Sequence, residues 1–133
     1  MPPELAEVRD WLRKAQQDRR LAEAGLAQAP PITDGAAFHC QQAVEKCLKA
    51  YLVHRGESFE RIHDLEALID QCARLETQWD QFRDRVESLT PYAVRFRYPG
   101  PADPSVQEVE EALAVVKTVW QFVLSHLPEE AKP

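Results

Sequence analysis

Two stretches of this chain hold residues whose types and spacing could do chemistry. The first is Tyr92-x-x-Arg95-x-Arg97-Tyr98-Pro99, two arginines and two tyrosines ahead of a proline-broken loop. Arginine grips phosphate bidentately and tyrosine can stack on a base, so the set suits a phosphate contact and a base contact. An ion pair from Arg97 to Glu45 or Asp64, holding a helix break in place, accounts for the same arginine without a ligand. The second stretch is Phe38 to Ile69, FHCQQAVEKCLKAYLVHRGESFERIHDLEALI. At helical periodicity Ala36, Ala37, Cys40, Ala43, Val44, Cys47, Leu48, Ala50 and Tyr51 cover one broad arc. Gln41, Gln42, Glu45, Lys46 and Lys49 fill the other, with Phe38 and Leu52 among them. That strip is either a solvated face or the lining of a cleft or partner surface.

Other chemistries find little support. His39, His54, His63 and His126 show neither an HExxH pattern nor the Cys/His spacing of a zinc site. His63-Asp64 would suit a metal-dependent phosphohydrolase, but a helix-capping role for Asp64 explains the pair without metal. Cys47 falls on the apolar arc with no base beside it, which argues against a thiol nucleophile. Only four glycines are present and no GxxxxGK, so no phosphate-cradling loop is expected. Neither a metal nor another cofactor is called for.

The elements that must position these residues read as helices throughout. Pro2 and Pro3 suit a helix start, after which Leu5, Val8, Leu12, Ala15, Ala22 and Leu26 keep helical spacing as far as Ala29. Arg19 falls on that stripe where an apolar residue is due, at a helix edge from which it can snorkel. Pro30 and Pro31 stop the first helix, and Thr33 or Asp34 can cap the second, which ends at Gly56. Its apolar arc is too wide for one neighbour, so it must touch at least two other helices. Asp64 caps a short third helix carrying Leu65, Leu68, Ile69 and Cys72. A fourth begins near Thr77, with Trp79, Phe82, Val86 and Leu89, and breaks at Thr90-Pro91. YPGPADP, from Tyr98 to Pro104, cannot be regular helix. Ser105 and Glu108 then form a capping box for a last helix, whose seam is Val106, Val109, Leu113, Val116, Trp120, Val123 and Leu127. The expected fold is all-α: an up-down bundle of four main helices with an additional short one.

With 133 residues the chain is read as one domain, its core spanning about residues 5–127. Hydrophobic residues at 44% and charged ones at 29% fit a soluble globular protein, and no apolar run is long enough to span a membrane. The N-terminus MPPELAEVRDW has no apolar signal core, and three cysteines without a close pair read as buried reduced thiols. Both point to the cytoplasm. A net charge of −6 disfavours general nucleic-acid binding. Six acids stand against Lys117 and Lys132 after Pro101, so a local basic patch remains open in the first two-thirds.

FHCQQAVEKCLKAYLVHRG, followed by HDLEALI and RFRYPG, resembles the HEPN family of small helical prokaryotic proteins, over roughly Trp11 to Leu127. The residues that carry the resemblance are the Phe-His pair, the two glutamines, the Glu-Lys and Lys-Ala steps, the Arg-Gly end, the His-Asp-Leu helix start and the Arg-Tyr-Pro signature. The resemblance implies a bundle like the substrate-binding subunit of larger nucleotidyltransferases. It also implies pairing with a minimal nucleotidyltransferase in a toxin–antitoxin-like system, and a homodimer. On that view Gln41, Gln42, Glu45, Lys49 and His63 join Arg95, Arg97 and Tyr98 in a surface for a nucleotide, an RNA or the partner. Active members of the family are metal-independent ribonucleases with an arginine, four to six residues and then a histidine. Arg97 matches the arginine, but the histidine position falls on Ala102, Asp103 or Pro104. Asp103 is a poor acid–base substitute at neutral pH, and no tyrosine follows Tyr98 in this loop to match the modification site of some toxin members. A ribonuclease would have to draw a histidine from elsewhere, such as His63 or His39. A helical adaptor with no ligand is the third reading.

Overall fold

The computed structural model describes residues 1–59, 64–95, 99 and 102–133, with Arg95 described for its backbone alone. Every regular element among these residues is helical: α1 Pro3–Leu26, α2 Thr33–His54, α3 Leu65–Leu75, α4 Arg83–Glu87, α5 Tyr92–Arg95 and α6 Val106–Ser125. A 3₁₀ helix, Thr77–Phe82, leads into α4, and a 3₁₀ turn, Glu129–Ala131, closes the chain. The segment expected as a fourth helix thus starts at Thr77 but winds as 3₁₀ for six residues before a single α turn. Thr90-Pro91 separates it from the short α5, where the break is expected.

Local chemistry explains most of the helix ends. Proline opens α1, where its missing N–H has no intrahelical partner to lose. Asp64 caps α3, accepting from the N–H groups of Glu66 at 3.0 Å and Ala67 at 3.4 Å. In the capping box of α6 the Glu108 N–H donates to Ser105 Oγ at 3.0 Å, and the Ser105 N–H donates to Glu108 Oε1 at 3.1 Å. Gly56 follows α2 with φ of 73°, a left-handed conformation that glycine adopts without a Cβ penalty. The start of α2 differs from expectation. Thr33 is already helical and Ile32 is the cap residue, with no side-chain cap bond, while Asp34 accepts only from the N–H of Gly35 at 2.7 Å.

The most extensive packing joins α1 to α2 in an antiparallel pair, and α6 lies along another side of α2. α3 and α5 also touch α2, so its wide apolar arc meets four neighbours. Small residues bring the first pair close. A Cβ on Gly25 would lie 3.2 Å from the Ile32 carbonyl oxygen and 3.5 Å from Ala36 Cβ. At the other end of α2, Tyr51 meets Trp79 edge to face at 5.1 Å, and Trp79 meets Phe122 of α6 at 4.6 Å. Each such ring pair adds about 1 kcal/mol beyond the area it buries.

Two apolar seams keep most of the expected positions and depart from them by one residue at a few. In α6 the buried line runs Val109, Ala112, Val116, Val119 and Val123. Leu113 and Trp120 are only partly buried, and Val106 is 40% exposed. In α1 it runs Val8, Leu12, Ala15, Asp18 and Ala22, so the inward place expected for Arg19 belongs to Asp18. Arg19 turns outward and pairs with Glu23 at 3.2 Å.

Candidate functional site

The polar strip of α2 divides into two rows. Gln41, Glu45 and Lys49 form the inner one, at 1%, 1% and 5% exposure. A merely solvated face is thereby overturned for these three. Lys49 Nζ stands 3.7 Å from Glu45 Oε1 one helical turn away, and both side chains are almost fully enclosed. The ammonium also lies over two rings, 5.3 Å from the centre of Trp11 and 5.5 Å from that of Phe59. Those rings meet edge to face at 6.0 Å. An ammonium stripped of water is thus met by a carboxylate and two π faces. Gln42 is half-buried, and its Nε2 donates to Gln41 Oε1 at 2.7 Å, tying the inner row to the outer one.

The outer row is built around a residue that the sequence reading missed. Asp18 of α1 is buried, and its Oδ1 accepts from His39 Nδ1 at 2.9 Å. Its other oxygen, Oδ2, accepts from Lys46 Nζ. A carboxylate can only accept, so the proton of this bond sits on Nδ1 and the Nε2 of a neutral His39 keeps its lone pair. The ring is 28% exposed and Lys46 21%, which leaves both within reach of a ligand. The available signal was an acid inside the apolar stripe of α1, between Ala15 and Ala22. Helical spacing alone assigns that place equally well to Arg19.

Of the residues singled out from the sequence, Gln41, Gln42, Glu45 and Lys49 share one face of α2. Arg95 closes α5, which packs on α2. His63, Arg97 and Tyr98 lie outside the described residues, as does any pairing of Arg97 with Glu45 or Asp64. Asp64 serves α3 as its cap.

The thiols are chemically quiet. Burial pushes Cys40 and Cys47 up to about 12, helped by the charges of Glu23 and Asp18 respectively, and burial raises Cys72 as well. At neutral pH none offers a thiolate. Among the described residues no three histidine, cysteine or acidic side chains converge as a metal site would require. No helix among them is long and apolar enough to cross a membrane.

Comparison with known proteins adds three findings. The family model described as HEPN domain matches residues 8–127. The chain is 25% identical over 136 residues to a Methanocaldococcus jannaschii protein named "Putative toxin MJ1304", covering 90% of this chain and 88% of that one. Among solved structures it is similar to that of TT1696 from Thermus thermophilus. The TM-score is 0.74 with 29% identity, over 90% of this chain and 98% of the other.

Proposed function

The chain belongs to the HEPN family, and from that premise we infer that it is the helical member of a toxin–antitoxin-like pair, acting as a nucleotide-linked binding partner of a minimal nucleotidyltransferase. The observation that carries this reading is the buried row Gln41, Glu45 and Lys49. Apolar residues of similar volume would serve packing as well or better, because two buried charges cost several kcal/mol of lost hydration each. Their presence is therefore better explained by a functional demand than by packing: enclosed themselves, they support the helix face on which Gln42, His39 and Lys46 stay within reach of a ligand. The similarity to an archaeal protein whose name carries the word toxin favours the same class of system.

His63, Arg95, Arg97 and Tyr98 complete the binding set in this reading, with Arg97 gripping phosphate. The chain acts in the cytoplasm as a homodimer, for which the half-exposed Leu113 and Trp120 of α6 supply an apolar surface. Coexpression with any minimal nucleotidyltransferase encoded beside it tests the pairing by pulldown. Calorimetry with nucleoside triphosphates, on the chain alone and with that partner, tests the ligand. Binding that vanishes in Arg97→Ala is the expected result. Failure of both the pulldown and the titration rejects the reading.

The Asp18–His39 pair favours a second reading, a metal-independent ribonuclease that uses Arg97 with His39 in place of the missing histidine. A base oriented by a buried carboxylate is the arrangement that general base catalysis needs. Cleavage of a structured RNA in EDTA, lost in both His39→Ala and Arg97→Ala, is the outcome this reading requires.

A further inference from the structure

The beginning of α1, the end of α2 and the loop after it line a groove of about 800 Å³, whose walls include Glu4, Glu7, Trp11, Lys49, Glu57 and Phe59. The apolar part of its lining is Trp11, Val53 and Phe59. Its two rings already hold one cation, the Lys49 ammonium, whose charge Glu45 balances at 3.7 Å. The rim is different. Glu4, Glu7 and Glu57 are all exposed, and among the described residues none of their carboxylates is in an ion pair. An aromatic wall edged by three unpaired carboxylates repels phosphate and attracts a cation that can also lie flat on a ring. Guanidinium meets both demands, because it is planar, weakly hydrated and able to fork onto a carboxylate. A hydrated ammonium meets them less well.

We propose that this groove docks an arginine-bearing peptide segment of a partner protein. One guanidinium lies against the part of Trp11 that lines the groove, beside the Lys49 ammonium that Glu45 balances, and its N–H groups donate to the rim carboxylates. The net charge of −6 draws such a segment toward the chain before contact. The inference stands on the groove alone and does not depend on the partner being a nucleotidyltransferase.

The test is a calorimetric titration of the full chain with a capped hexapeptide of alternating arginine and serine, beside the same peptide with lysine for arginine. The arginine peptide is expected to bind more tightly than the lysine one and to weaken as salt is raised. Glu57→Lys lies outside the helices, so it leaves α1 and α2 intact, and it should weaken binding about tenfold, close to 1.4 kcal/mol. Trp11→Ala should weaken it further. Glu110→Lys on α6, outside the groove, should change nothing and guards against general attraction to an acidic protein. The proposal is overturned by no binding at millimolar arginine peptide, by Glu57→Lys binding like the original chain, or by Glu110→Lys weakening binding as much as Glu57→Lys. Retention of a coexpressed nucleotidyltransferase by Glu57→Lys would leave the partner reading intact while the titration decides the groove.

Discussion

The two polar rows of α2 carry the same kinds of residue and meet opposite environments. In the inner row Lys49 is enclosed with Glu45 and two aromatic rings, and both charges have left water. In the outer row Lys46 and His39 remain partly in solvent and reach across to a single buried carboxylate on α1. The inner row is costly to keep and strongly damaging to break. The outer row is a tie between helices with open edges, and its charges are partly screened. Burial, rather than residue type, decides how much each charge matters.

Mutation should separate the rows in that order. Glu45→Ala leaves the Lys49 ammonium buried without its carboxylate and is expected to cost about 3 kcal/mol in urea unfolding. A loss below about 1 kcal/mol would show that the inner pair is more hydrated than its burial suggests. Asp18→Ala removes the acceptor of two groups, His39 and Lys46, that can return to water, so the expected loss is roughly 2 kcal/mol. If it exceeded that of Glu45→Ala, the ranking of the rows would be reversed. Trp11→Leu keeps an apolar contact but removes one of the two π faces over Lys49. The expected loss is about 1 kcal/mol in the same assay, and it should shrink when Lys49 is already methionine.

At neutral pH the smallest effect is expected at the thiols, which belong to neither row. Cys40 and Cys47 should resist iodoacetamide at pH 7 in the folded chain and react once it is unfolded. Their thiol pKa values are raised to about 12 in the folded state, chiefly by burial. The unfolded chain therefore releases these protons first, from about pH 8.5 upward. Their contribution to stability is complete below that pH and is lost as pH rises toward 12. A stability profile flat from pH 8 to 11 would contradict this.

Much of the architecture is legible in residues a few positions apart. Proline at the start of α1, Asp64 before α3, the Ser105–Glu108 box and Gly56 after α2 each act within one turn of chain. The broad apolar arc of α2 likewise announced a helix with several neighbours. The family resemblance was readable in the same way, because FHCQQAVEK and its companions are contiguous. Less was legible of the site. Gln41, Glu45 and Lys49 were singled out as a strip, but nothing in their order said that they would be enclosed.

What the sequence determined by itself is the helical class, most of the helix ends and the family, since caps, breakers and periodicity are local. Only the tertiary structure decided which face of each helix turned inward. Asp18 rather than Arg19 took the inward place in α1, because a shorter acid can meet His39 and Lys46 across the seam. Ala112 and Val119 took the core of α6, leaving Leu113 and Trp120 half outside, because α6 presents its small residues there. Both choices depend on neighbours far away in the chain. A one-residue step around a helix changes hydrophobic spacing too little to reveal them, yet it decides which charges are taken out of water.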